Sequence, residues 1–255
     1  MSRRGVVVVG SLTALLVLAV VLWRAEDSSN PAPEVRHGGR GIRRGGAEGP
    51  SSPECRHPFV PARVGASWDY ALTTRDRSAE LRLEVVSTRE TPDGRIAVEW
   101  LGSVDAEGAR RRARWTARTT CGDSEAEEPW LAPMEQLAGL RARHGWTWPS
   151  RLETGASFGG VALLQSPSGL APLRVERRYE VVGRESISFG GERRRGWRLH
   201  YREEQSYGDV AEAIEGTVHV AENVGLVRLE ARALSAAHGE PAFVMQLSNR
   251  GTGRD

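Results

Sequence analysis

The chain holds 255 residues, 27% of them charged, with 8 Trp and a formal net charge of +2. From residue 54 onward 28 Arg stand against 29 Asp and Glu, so the basic surplus that nucleic-acid binding requires is missing. Every basic residue is Arg; without Lys, P-loop, Schiff-base and Ser-Lys chemistries are excluded.

Met1-Ser2-Arg3-Arg4 reads as a cytoplasmic tip, and the nineteen uncharged residues Gly5 to Trp23 are long enough to cross a bilayer as a helix. A cleaved signal peptide shares the basic start. Against it, the apolar run is long, and Leu22-Trp23-Arg24-Ala25-Glu26 lacks the small residues a signal peptidase needs. Residues 5–23 are therefore expected to be an uncleaved signal-anchor. Arg3 and Arg4 precede the span while Glu26 and Asp27 follow it, which leaves the N-terminus in the cytoplasm and exports the rest. The expected location is the inner membrane, single-pass, with a periplasmic C-terminal domain; the alternative is secretion after cleavage. Residues 24–53 form a Gly/Pro-rich linker that cannot repay the entropy of ordering, and residues 54–255 remain for an extracytoplasmic domain.

Two cysteines, Cys55 and Cys121, are too few for a metal site, and in an oxidising compartment they are expected to pair.

Residues 64–74 alternate, with Val64, Ala66, Trp68, Tyr70 and Leu72 on one face. Ala79, Leu81, Leu83 and Val85 repeat the pattern; after a Thr91-Pro92-Asp93-Gly94 turn come Ile96, Val98 and Trp100, then Ala113, Trp115 and Ala117. Four strands on short turns predict an antiparallel meander with one wet face. Pro133, Met134, Glu135, Leu137 and Leu140, followed by Arg141, Arg143 and His144, predict one short helix over 133–144. Strands then resume around Val175, Tyr179 and Val181; Trp197, Leu199 and Tyr201; Val218 and Val220; Val227 and Leu229; and Phe243, Met245 and Leu247. The second half is expected to continue the first sheet.

The run Pro61-Ala62-Arg63-Val64-Gly65, with Trp68 and Tyr70, precedes a meander and a second Gly-x-x-Trp at Gly145 to Trp148. Tyr179-Glu180-Val181-Val182-Gly183-Arg184-Glu185 and Asn223-Val224-Gly225-Leu226-Val227 follow. This order resembles secreted bacterial β-rich domains of uncharacterised function similar to the lipoprotein-localisation-factor and lipoprotein-carrier superfamily. The resemblance implies a curved antiparallel sheet, a half-barrel closed by a helix, whose concave face holds acyl chains or a partner.

Gly155-Ala156-Ser157-Phe158-Gly159 matches the nucleophile-elbow pattern, with His200, His219 and His238 downstream, but its surroundings read as β rather than strand–turn–helix. Asp123, Glu125, Glu127 and Glu128 lack a calcium-loop spacing and read as a solvated loop. Arg110-Arg111-Arg112 and Arg193-Arg194-Arg195 flank turns, as charges that keep a sheet soluble or meet phosphate headgroups.

The expected protein is mainly β: a curved, half-barrel-like antiparallel sheet with one short helix, behind a transmembrane helix and flexible linker. No catalytic centre, metal or cofactor is expected. Trp68, Tyr70, Trp100, Trp115, Tyr179, Trp197 and Tyr201 are the candidate apolar ligand face for a lipid or an envelope protein. The alternatives are a structural subunit of an envelope or secretion complex with a closed core, and a serine hydrolase using Ser157.

Overall fold

The computed structural model describes residues 52–74, 78–106, 113–129, 141–142, 146–165, 173–207, 210–234 and 243–252. The expected cytoplasmic tip, membrane span and almost all of the linker lie outside the described residues, as do Arg110-Arg111-Arg112.

The four expected N-terminal strands form: β1 (Ala66–Thr74), β2 (Ser78–Glu90), β3 (Ile96–Ala106) and β4 (Ala113–Cys121). Then come the short β5 (Glu125–Glu127), β6 (Arg141–Ala142) and β7 (Thr147–Pro149), followed by β8 (Ser157–Gln165). The long β9 (Leu173–Phe189) and β10 (Glu192–Tyr207) lead to β11 (Val210–Ala221), β12 (Gly225–Ala233) and β13 (Phe243–Thr252). The helix expected over 133–144 does not run its predicted length. Residues 133–140 lie outside the described residues, and Arg141–Ala142 pair as strand β6 with Leu164 and Gln165.

All thirteen strands belong to one sheet in the order β6-β8-β9-β10-β11-β12-β13-β1-β2-β3-β4-β5-β7. The two halves join because the last strand pairs with the first, from Ala66 opposite Thr252 to Thr74 opposite Phe243. Gly190 and Gly191, with φ of 60° and 80°, close the β9–β10 hairpin in the conformation that matches strand twist. Register shifts at Asp69/Tyr70, Val85/Ser87, Arg198/Leu199 and His219/Val220 add local bend to that twist.

The sheet therefore curls further than a half-barrel. Its two ends meet where the Trp148 ring of β7 stands 5.1 Å from Phe158 of β8 and 5.0 Å from Tyr179 of β9. The result is a nearly closed barrel. A half-barrel would leave one side of each inward ring wet; curling covers it with the opposite wall, and no helix among the described residues does so instead.

The outer face is charged. Arg232 pairs with Glu215 across β12 and β11, Arg118 with Glu99 across β4 and β3, and Arg82 with Asp69 across β2 and β1. Each such exposed pair contributes little, about 0–1 kcal/mol, but together they mark a water-facing wall.

One end of the barrel is covered by residues 52–65. Cys55 bridges to Cys121 at the end of β4, the Cα atoms 5.9 Å apart. Phe59 lies 6.4 Å from Trp148, and the Asn223 N–H donates to the Pro58 carbonyl. His57 is 2% exposed here, and burial lowers its pKa from 6.5 to about 4 against the opposing pull of the Trp148 carbonyl. Below pH 6.5 the unfolded chain binds a proton that the folded chain refuses. Stability present above that pH is thus lost as pH falls toward 4, by up to about 3 kcal/mol. Urea midpoints at pH 7 and pH 4.5 should show this loss, and a His57→Gln chain should show less of it. Equal losses in both chains would exclude His57 as the titrating group.

Packing is tight on the inner wall. A Cβ added at Gly102 would fall 2.2 Å from the Trp115 indole. Gly102→Ala is expected to destabilise by about 1–3 kcal/mol through overpacking, read as a lower thermal midpoint.

Candidate functional site

The seven aromatic residues picked from alternation all point into the barrel. Trp68, Tyr70, Trp100, Trp115, Tyr179, Trp197 and Tyr201 are between 2% and 9% exposed. Trp68 and Trp100 pack at 5.5 Å, and the Trp68 indole donates to the Val224 carbonyl at 2.8 Å. Trp100 donates to the Thr119 hydroxyl and Tyr70 to the Leu226 carbonyl. These three polar tips thus find partners inside, as a buried indole or phenol requires, whereas the Trp115 Nε1 is buried without one among the described residues. The crevice between Val60, Trp68, Tyr70, Leu83, Trp100 and Val224 has a volume of about 10 Å³, room for about one water molecule.

Beside these rings lies a charged cluster that inspection of the sequence missed. Arg177 of β9 is 3% exposed, Glu203 and Gln205 of β10 are 1% and 3%, and Glu128 after β5 is 1%. The Arg177 Nε donates to Glu203 Oε2 at 2.5 Å, and its guanidinium lies 3.5 Å from Glu128 Oε1 and 3.6 Å over the Trp146 ring. Tyr201 and Gln205 donate to Glu203, while Tyr179 and Trp148 donate to Glu128 at 2.8 and 3.4 Å.

Burial pushes the Glu128 carboxyl up, against the pull of Arg177 and of the Tyr179 and Trp148 donors. Burial also raises Tyr179 and Tyr201, and the Glu128 and Glu203 charges add to this, so both phenols stay protonated donors. Glu128 and Trp148 belong to one end of the sheet and Arg177, Tyr179 and Glu203 to the other. The cluster is a latch across the seam.

Expectation and structure differ most at the acidic run. Asp123 and Glu125 are exposed and Glu127 caps the Thr120 N–H at 2.7 Å, but Glu128 is buried rather than solvated. Among the described residues no group of three or more His, Cys, Asp or Glu is placed to hold a metal ion.

The Gly155–Gly159 run holds no elbow. Ser157 begins strand β8, exposed, and the register sets Glu180 opposite it and His200 opposite Glu180. Ser157 and His200 are thus two strand spacings apart, about 10 Å, beyond hydrogen-bond reach. His219 pairs instead with Glu185, and His238 lies outside the described residues.

The fold is a known one. A protein of Bacteroides fragilis NCTC 9343, described as exported and as having a YmcC-like fold, superposes with a TM-score of 0.59 at 14% identity, covering 77% of this chain and all of that one. A protein of Parabacteroides distasonis ATCC 8503, described as a lipoprotein, gives 0.60 at 12% identity, covering 76% and 99%. No family profile matches the chain, and no curated protein does. These likenesses establish a mainly β fold shared with solved domains.

Proposed function

We propose that the protein is a non-enzymatic, exported β-barrel module, held at the inner membrane by residues 5–23, that presents its outer surface to an envelope protein partner. The observation that carries this reading is the close packing of the described inner wall. Seven inward aromatics are buried and the crevice beside three of them, Trp68, Tyr70 and Trp100, measures about 10 Å³, whereas sites for drug-sized ligands run to about 300–1,000 Å³. Export is supported by the basic tip and apolar run, by the Cys55–Cys121 bridge, and by the exported protein and the lipoprotein that share the fold. The charged outer wall fits a domain that stands in water beside the membrane.

The rival reading has the same barrel hold an acyl chain inside. A Trp23→Phe full-length chain in detergent, titrated with dibromostearate, separates the two. Emission from the interior tryptophans is expected to stay unchanged, and saturable quenching that disappears in a Trp100→Asp chain would sink the filled-core reading. Protease added to spheroplasts should digest residues 54–255, and full protection would remove the exported placement.

A further inference from the structure

We propose that the open edge of β4, from Arg114 to Arg118, takes up an extended acidic segment of an envelope protein partner as an added antiparallel strand. The proposal names the partner surface of the exported-module reading and rests on that reading.

The edge follows from where β5 ends. On one side β4 pairs with β3 along its whole length, from Ala113 opposite Val104 to Cys121 opposite Ile96, with no register shift. On the other side it meets β5 at a single position, Cys121 opposite Ala126. Past that pair the chain turns inward: Glu128 accepts from Tyr179 in the interior, and Pro129 lines the crevice with Trp68 and Trp100. Thr120 fixes the direction of the groups left behind, since its N–H points away from β3 and donates to Glu127 Oε2 at 2.7 Å. Alternate residues of an antiparallel strand send their N–H and C=O groups the same way. Arg114, Thr116 and Arg118 therefore present theirs to that side, and none has a backbone partner there among the described residues. Their side chains are exposed while Trp115, Ala117 and Thr119 are buried, so the row faces water. An edge that carries neither proline nor bulge is a template for one more strand.

The arginines decide which strand. Across β3, Arg114 stands opposite Ser103, which offers it no carboxylate, and Arg118 reaches Glu99 at 3.5 Å with 73% of its side chain exposed. A second copy paired on Thr116 would set Arg114 of one chain opposite Arg118 of the other, and like charges directly opposite destabilise. A segment with Asp or Glu four residues apart places a carboxylate opposite each arginine instead. Glu127 shows the fit on a small scale: a carboxylate already sits on the Thr120 N–H of this same edge.

The test uses the full chain in a neutral detergent with the peptide acetyl-Thr-Glu-Val-Thr-Val-Glu-Thr-amide, and reads amide hydrogen exchange at single residues. In the free protein the Arg114, Thr116 and Arg118 amides are expected to exchange fast, and saturating peptide should slow them by about tenfold or more. A peptide with Lys in place of both Glu should bind at least about tenfold more weakly. One N-methylated at its central Thr keeps the charges but loses a strand hydrogen bond, and should not bind. Thr116→Pro removes an edge N–H that the β3 ladder does not use and should abolish binding. Should that chain not fold, Arg114→Gln/Arg118→Gln must lose about tenfold. Arg232→Gln, on β12 and paired with Glu215, should bind as the parent does. The proposal fails if the three amides are already protected in the free chain, or if the peptide leaves them fast. It fails equally if the N-methylated or the Lys peptide binds as well as the parent peptide. A dimer of the chain alone that Thr116→Pro dissolves would make a second copy the occupant and overturn the proposal too. Dibromostearate quenching and spheroplast proteolysis test the exported module separately, so each can fail without the other.

Discussion

Arg177→Met is expected to destabilise the protein by about 3–5 kcal/mol, the usual result of removing one partner from a buried ion cluster. The loss is not the worth of two salt bridges. Taking the guanidinium away leaves Glu128 and Glu203, both 1% exposed, facing each other in the interior with no cation between them. At least one carboxyl must then take a proton or the seam must open to water. Urea denaturation at pH 7 reads the effect as a large fall in midpoint. The same argument predicts a rescue: Arg177→Met combined with Glu128→Gln and Glu203→Gln removes the stranded charges and should recover much of the loss. A triple chain no more stable than the single one would show that Arg177 acts by packing on Trp146 rather than by charge.

The protonation of Glu128 gives that experiment a pH signature. Its folded pKa is raised, so the unfolded chain releases the proton first as pH climbs past about 4.5, the ordinary value. Its contribution to stability is therefore present below that pH and lost as pH rises through the folded pKa. His57 works in the opposite sense, contributing above pH 6.5 and losing that contribution toward pH 4. Glu128→Gln removes one arm of this opposition, so the variant's stability should fall less than the parent's between pH 5 and pH 8.

How much of this was legible depends on whether the information is local. Trp68, Tyr70 and Leu72 sit two residues apart, and that spacing alone sets them on one face of β1. The same holds for β2, β3, β4, β9 and β10. Strand β8 was missed because Gly159-Gly160 interrupts its alternation. Gly159 itself answers to a contact far away, since with φ of 150° a Cβ would fall 2.0 Å from the Arg177 carbonyl. Barrel closure was illegible for a related reason. It rests on β13 meeting β1 and on Trp148 meeting Phe158 and Tyr179, which no local period encodes. The latch was half legible. Arg177 falls in phase between Val175 and Tyr179, and Glu203 and Gln205 continue the inward phase of Trp197, Leu199 and Tyr201. A polar residue on an apolar phase signals a buried partner. Glu128 carries no such sign, because it follows a three-residue strand too short to show a period.

Breaking the bridge between Cys55 and Cys121 is expected to cost about 4 kcal/mol, from the entropy of an unfolded loop spanning 66 residues that the bridge closes. Several groups depend on where the bridge holds the 52–65 segment. Phe59 and Val60 are each 2% exposed against the interior, Phe59 packs toward Trp148, and Val60 lines the crevice with Trp68 and Trp100. Cys55 also pairs its backbone with Ala62, both N–H···O bonds made. A Cys55→Ser/Cys121→Ser chain keeps these contacts available but releases the segment in the unfolded state, so the loss should appear chiefly as a lower denaturation midpoint. Local detachment is the competing outcome, and hydrogen exchange separates the two. If the segment alone loosens, the Cys55 and Ala62 amides exchange fast while β2 and β10 stay protected, and the midpoint moves little. If the bridge holds the whole barrel, protection falls across all strands by the same free energy. Because this segment buries His57, its detachment would also return that imidazole to water. The acid-dependent part of the stability should then vanish with the bridge, so a reduced chain whose urea midpoint still falls with His57 between pH 6.5 and pH 4 would show the segment holding without its disulfide.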